Sequence, residues 1–119
     1  MTISITNKEI TLGETVGANL FVGIDGKKGG SYGVVQSSGD LADVVEIRTI
    51  GETYVVAGSE NLVAGDMVIA DTDGTALKAN STTTTISGEG GDVVVDHTKK
   101  YFLVIAGADS GDLATILLR

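Results

Sequence analysis

Cysteine, proline and tryptophan are all missing from this 119-residue chain, and aromatic residues make up only 4% of it. Without cysteine there is no disulfide and no thiolate metal site, so nothing can be read about the redox compartment and stability has to come from packing. A chain of this length suits one domain. Such a domain buries roughly two thirds of its unfolded surface, enough to fold without staples. Long apolar runs are missing too. No stretch approaches the roughly 20 residues that span a bilayer. The start, Met1-Thr2-Ile3-Ser4-Ile5-Thr6-Asn7-Lys8, has neither the basic opening nor the apolar centre of a signal peptide. The expectation is a soluble chain with no membrane partner. Basic residues are scarce: 8 lysines and arginines against 16 acids give a formal net charge of -8. That balance repels phosphate backbones and anionic lipid. With so few aromatics there is no stacking platform for single strands either, so nucleic acid is not an expected partner. Lys27-Lys28 and Lys99-Lys100 read as solvated loop or strand-end positions.

Glycine, in contrast, is abundant: 17 residues, roughly twice the usual share. They occur in pairs or beside Asp, Ser and Asn, which is the chemistry of turns. The segments between are short and rich in Val, Ile and Thr, with no sustained 3.6-residue period. The chain therefore reads as all-β. Expected strands are 20–24, 32–36, 43–49, 53–57, 67–70, 76–79, 83–87, 93–96, 101–106 and 115–118. Many short strands at this spacing point to a small β-barrel or a two-sheet sandwich. Thr2-Ile3-Ser4-Ile5-Thr6 also alternates, but Asn7-Lys8-Glu9 cuts it off, so it is expected as an edge strand or an arm.

One phrase occurs twice. Ser38-Gly39-Asp40-Leu41-Ala42 recurs as Ser110-Gly111-Asp112-Leu113-Ala114, each copy running into an apolar stretch. Upstream, Val16-Gly17-Ala18-Asn19-Leu20-Phe21-Val22 with Asp25-Gly26 parallels Val63-Ala64-Gly65-Asp66-Met67-Val68-Ile69 with Asp73-Gly74. Two copies are too few for a solenoid and suggest one closed domain with internal pseudo-two-fold symmetry. The expected organisation is an arm or edge strand over 1–14 and a single β domain over 15–119. Its copies cover about 15–50 and 62–119, and the second is lengthened by an insertion at about 80–98.

The formal matches to catalytic and metal motifs fail on context. Gly29-Gly30-Ser31-Tyr32-Gly33 fits the G-x-S-x-G elbow, which needs a strand before it, a helix after it and a larger α/β scaffold, whereas a β-like Tyr32-Gly33-Val34-Val35 follows here. His97, the one histidine, would have to serve Ser31, but its neighbour Asp96 would point to the opposite face of a strand. His97 reads as a polar residue at the exposed end of Val93-Val94-Val95. Asp71-Thr72-Asp73-Gly74 fits the middle of an EF-hand loop, yet the first and last ligand positions would be Ile69 and Asn80. With Asp25-Gly26 it reads instead as one of two matching hairpin turns of primed type. No Walker A pattern exists, and Gly88-Glu89-Gly90-Gly91 lacks the spacing of a dinucleotide fingerprint. No enzyme activity, cofactor or metal is expected.

The series Tyr32-Gly33-Val34-Val35, Ser38-Gly39-Asp40-Leu41-Ala42-Asp43-Val44-Val45-Glu46-Ile47, Gly51, Asn61-Leu62-Val63-Ala64-Gly65-Asp66-Met67-Val68 and Asp73-Gly74 resembles the small bacteriophage capsid decoration (cement) proteins. The resemblance covers about 16–119. Two departures are Val34-Val35, where the family has Val-Ala, and the Thr-rich insertion. The resemblance implies a non-enzymatic structural protein of the virion, made in the host cytoplasm, that binds the outside of the expanded head. The phage major capsid protein would be its partner. Cyclic homo-oligomers are the common form, and a trimer is the expected one. Thr2, Ile3, Ser4, Ile5 and Thr6 are the candidate contacts with capsid or neighbouring subunit, by strand addition. Alternatives are another virion component such as a fibre base, or a β-barrel binding module. Val63-Ala64-Gly65-Asp66-Met67-Val68 is similar to the turn-strand step of biotinyl and lipoyl carriers, but the lysine those carriers modify is missing.

Overall fold

The computed structural model describes residues 5–79, 86–87, 92–93 and 100–118, the two short pieces in backbone only. All regular structure among them is strand: β1 (Thr6–Thr11), β2 (Phe21–Val22), β3 (Gly33–Val35), β4 (Val44–Val56), β5 (Met67–Ala70), β6 (Ala76–Lys78), β7 (Ile86–Ser87), β8 (Asp92–Val93), β9 (Phe102–Ala106) and β10 (Leu113–Leu118). Eight of them form one sheet in the order β2-β3-β4-β10-β9-β5-β6 with β1 also on β4, and β7 pairs with β8. The all-β reading holds.

Two expected strands, 43–49 and 53–57, are one. Gly51 between them takes φ +107° yet stays paired with Leu118, so the chain passes through it without turning. Inward positions alternate along β4: Val45, Ile47, Gly51, Thr53 and Val55 are buried, while Glu46, Ile50, Glu52 and Tyr54 are exposed. At about 3.3 Å per residue its 13 residues span about 43 Å, most of the 49 Å length of the molecule. β1 pairs with Val44–Ile50 and β10 with Gly51–Val56. Thr6 and Leu118 therefore lie opposite the consecutive residues Ile50 and Gly51.

β4 is shared by two lobes. Lobe 1 holds β1, β2, β3 and the first half of β4; lobe 2 holds the second half, β5, β6, β9 and β10. Equivalent hydrogen bonds define their correspondence. Val35 N–H donates to Leu20 O (3.0 Å) as Val104 N–H does to Asp66 O (2.8 Å). Val16 and Gly39 exchange a bond pair, as do Leu62 and Ala108. Asp43 N–H donates to Asp40 O (3.0 Å) and Asp112 N–H to Asp109 O (2.9 Å). The identical pentapeptides are consequently out of phase by three residues: Asp40 matches Asp109, and Ala42 matches Gly111. The physical reason is the turn. It needs a positive φ just before the strand, supplied by Ala42 (+72°) and Gly111 (+87°). Conformation, not the letters, sets the equivalence. Asn19 (+63°) likewise matches Gly65 (+96°).

The cores confirm this alignment. Lobe 1 buries Ile10, Leu12, Val16, Val22, Val35, Val45 and Ile47. The matching positions in lobe 2, Val55, Ala57, Leu62, Val68, Val104, Ala114 and Ile116, all belong to the second core. Each lobe nearly closes on itself. Gly13 N–H reaches Gly26 O at 3.1 Å in lobe 1 and Gly58 N–H reaches Ala76 O at 3.0 Å in lobe 2, where Ala57 also bridges Ala76.

The expectation of primed hairpin turns is corrected. Asp25 and Asp73 do not take positive φ; Gly26 (+75°) and Gly74 (+86°) do. Gly26 N–H donates to Gly23 O, and Gly23 N–H to Lys27 O. Gly74 and Asp71 repeat the pattern with Thr75 O as acceptor. This is a three-residue hairpin, in which an ordinary turn is followed by a left-handed glycine.

A seam joins the lobes. Phe21 and Val34 sit on the outer face of lobe 1 and are fully buried because they belong to the core of lobe 2. The Phe21 ring stacks on Phe102, centroids 5.2 Å apart. Phe21 N–H donates to Gly74 O at 2.7 Å and Val56 N–H to Asn19 O at 3.0 Å. Gln36 Nε2 donates to Thr53 Oγ1 at 3.2 Å and to Val34 O at 2.9 Å. A Cβ on Gly74 would stand 3.0 Å from Phe21 O, so the close approach and the positive φ both require glycine there.

Removing the Phe21 ring leaves a cavity that closed strands cannot fill. We expect Phe21→Ala to cost about 3–5 kcal/mol in urea unfolding. Truncating its half-buried lobe 2 counterpart with Met67→Ala should cost less than half as much.

Candidate functional site

Of the expected contact residues Thr2 to Thr6, Ile5 and Thr6 are described. Thr2, Ile3 and Ser4 lie outside the described residues. Thr6 opens β1, which runs on through Asn7, Lys8 and Glu9. The strand thus lies within the span 1–14 expected as an arm or edge strand, and continues past Asn7, where the alternation was expected to stop. Polarity hid it. Of β1's side chains only Ile10 is buried. Lys8 occupies an inward register position but leaves the lobe to lie 5.7 Å from the centroid of the Tyr32 ring.

β1 is held by a polar lattice on the outer face of lobe 1. Arg48 Nε donates to Asn7 Oδ1 at 3.1 Å, and Arg48 Nη1 to Glu52 O at 2.9 Å. Asn7 Nδ2 donates to Glu46 Oε1 at 2.9 Å. Ile5, 56% exposed, lies beyond this lattice at a groove lined by Arg48, Glu52, Thr53, Tyr54 and Thr115. At about 240 Å³ the groove is smaller than the usual small-molecule site of roughly 300–1,000 Å³. Its walls are the outer faces of β4 and β10, so it can seat an extended segment or a side chain of another surface.

The motif candidates do not converge. Ser31 is half-buried and strand β3 follows it, so the helix that an elbow nucleophile requires is not there. His97 lies outside the described residues. The acids of the 71–74 turn are spent locally. Asp71 Oδ1 accepts Thr72 N–H at 2.7 Å, and Asp73 Oδ1 accepts Thr75 N–H at 3.0 Å and Thr75 Oγ1–H at 2.6 Å. The hydroxyl bond, ahead of the backbone one, holds the Asp73 carboxyl below its ordinary pKa. Among the described residues no group of three acids or histidines is placed to hold a metal. Asp66 is the buried acid of lobe 2. Its carboxylate accepts Val63 N–H at 3.0 Å and lies 3.4 Å from Lys78 Nζ, a structural arrangement that fixes the turn before β5.

The larger feature is the outer face of lobe 2, which sequence reasoning missed. Tyr54, Leu113 and Ile105 are 60%, 49% and 37% exposed, with Ile50 at 43% nearby. Thr115 and Leu117 stand between them, opposite Tyr54 and Glu52. Its signal in the sequence was the outward set of each strand. That set becomes visible only once strand pairing shows which residues share a face.

No family model matches this chain, and no curated protein matches its sequence. Among solved structures it is similar to the head fiber gp8.5 N base of bacteriophage phi29. The match has a TM-score of 0.62 and 16% identity, and covers 98% of this chain and 95% of that one. At this identity the likeness establishes a shared fold over the full described architecture.

Because the Asp73 pKa is depressed in the folded state, its contribution to stability is present above the unfolded value and is lost as pH falls through the folded one. We expect Thr75→Val to move the Asp73 carboxyl midpoint upward in an NMR titration, with the turn's own bonds otherwise kept.

Proposed function

We propose that this chain is a non-enzymatic structural component of a phage virion that sits on the outside of the expanded head and binds the major capsid protein. The observation that carries the reading is the end-to-end fold match with a phage head-fibre base, 98% of one chain on 95% of the other. That match favours the fibre-base form of the role, in which the domain seats a larger appendage. The resemblance of the Gly-Asp turn series to decoration proteins favours a domain that clamps subunit junctions. Both forms ask the same of the molecule: a stable, acidic β body with attachment surface and no chemistry. Repeated weak contacts on a shell reach high avidity when the body is oligomeric, and binding one capsid state stabilises that state by mass action. The net charge of -8 suits an exterior position, away from packaged nucleic acid. Thr2, Ile3, Ser4, Ile5 and Thr6 are the proposed contact residues.

The test is co-sedimentation of the purified protein with procapsids and expanded heads of its source phage, with bound copies counted per capsid subunit. Saturable binding to expanded heads alone is expected. A copy number matching every local symmetry axis would specify decoration, a smaller number a fibre base, and no binding to either particle would overturn the proposal. Deleting residues 1–5, which leaves β1 intact, should weaken binding at least tenfold.

A further inference from the structure

The duplication supplies an internal control for reading the surface. Tyr54, Ile105, Leu113, Thr115 and Leu117 on lobe 2 correspond, by the hydrogen-bond alignment above, to Glu9, Gln36, Val44, Glu46 and Arg48 on lobe 1. The same outer face is therefore charged and cross-linked in one lobe, through Arg48, Asn7 and Glu46. In the other lobe it is mainly apolar, with Thr115 and Glu52 as its polar members. Ladder pairing makes the apolar set contiguous. Tyr54 lies opposite Thr115, Glu52 opposite Leu117, and Leu117 opposite Leu103, which in turn lies opposite Met67. Ile5 reaches the edge of this face beside Tyr54 and Thr115. Five of the nine large hydrophobics exposed in the described residues, Ile5, Ile50, Tyr54, Ile105 and Leu113, lie on or against it.

We infer that this face, centred on Tyr54, Thr115, Leu117 and Ile105, is where a second copy of the chain docks. Large contiguous apolar patches on a soluble surface mark interaction sites. Charge selects the occupant. With 16 acids against 8 bases, most ways of bringing two copies together oppose like charges. Charges at this face are few: Glu52 lies on it, and Arg48, whose Nη1 donates to the Glu52 backbone carbonyl, stands at its border with lobe 1. It is a surface that can meet itself with little repulsion, as a closed symmetric interface requires. The aromatic anchor, Tyr54, sits amid aliphatic neighbours, the composition of an interface centre. The inference does not depend on the shell-binding proposal, because self-association is measured without capsids.

The experiment is sedimentation velocity and equilibrium on the full chain from 1 to 100 μM, without capsids, comparing wild type with a graft of lobe 1 residues onto lobe 2: Tyr54→Glu, Ile105→Gln and Thr115→Glu. Each replacement already occupies the matching strand position in lobe 1, and an unchanged far-UV spectrum and unfolding midpoint will verify the fold. A second variant, Glu9→Gln, alters the lobe 1 face alone. We expect wild type and Glu9→Gln to sediment as a discrete oligomer of the 12.1 kDa chain, and the graft to shift at least tenfold toward monomer. A wild type that is monomeric at every concentration overturns the inference, as does a graft that assembles like wild type. A monomeric wild type whose head binding is abolished by the graft would assign the face to the capsid instead.

Discussion

β4 has to satisfy two hydrogen-bonded neighbourhoods in one continuous strand, and the rest of the molecule is arranged around that demand. Its first half bonds β1 and β3, and its second half bonds β10. The inward alternation stays in phase through Gly51, so one strand can wall two cores without a turn between them. A slip of one residue would exchange buried and exposed sets in both lobes together. The pairing is therefore specified twice over. It also brings Thr6 and Leu118 to adjacent positions on the same strand, so the lobes are locked by pairing and not by a linker.

From that frame the lobes diverge by what each does with its outer face. Lobe 1 turns Phe21 and Val34 into the core of lobe 2; the matching Met67 and Leu103 remain half-buried. Lobe 1 covers its remaining outer face with Glu9, Glu46 and Arg48, whereas lobe 2 presents Tyr54, Leu113 and Leu117. Duplicated backbones thus carry different side-chain chemistry on their outer faces.

Strand content was legible because Val, Ile and Thr segments bounded by Gly and Asp have few alternative conformations. The expected strand 67–70 lies where β5 does, and 76–79, 101–106 and 115–118 fall on β6, β9 and β10 to within two residues. The extent of β1 over Asn7 to Thr11 was not legible because Lys8, at an inward position, escapes over Tyr32 and breaks the alternation. The single strand β4 was split because a glycine flanked by polar residues looks like a boundary unless its ladder partners are known. The repeated pentapeptide showed that a duplication exists but misplaced it by three residues, since letters can be conserved while the positive-φ site moves.

Composition and local pattern determined the all-β class, the dependence on packing without disulfides, and the net acidity of the chain. Those follow from residue chemistry summed over the chain. Which residues pair across β4, which half of the duplication buries Phe21, and which outward side chains gather into one apolar face were decided only by tertiary structure. Each of these depends on long-range strand pairing, for which no local preference in the sequence carries a coordinate.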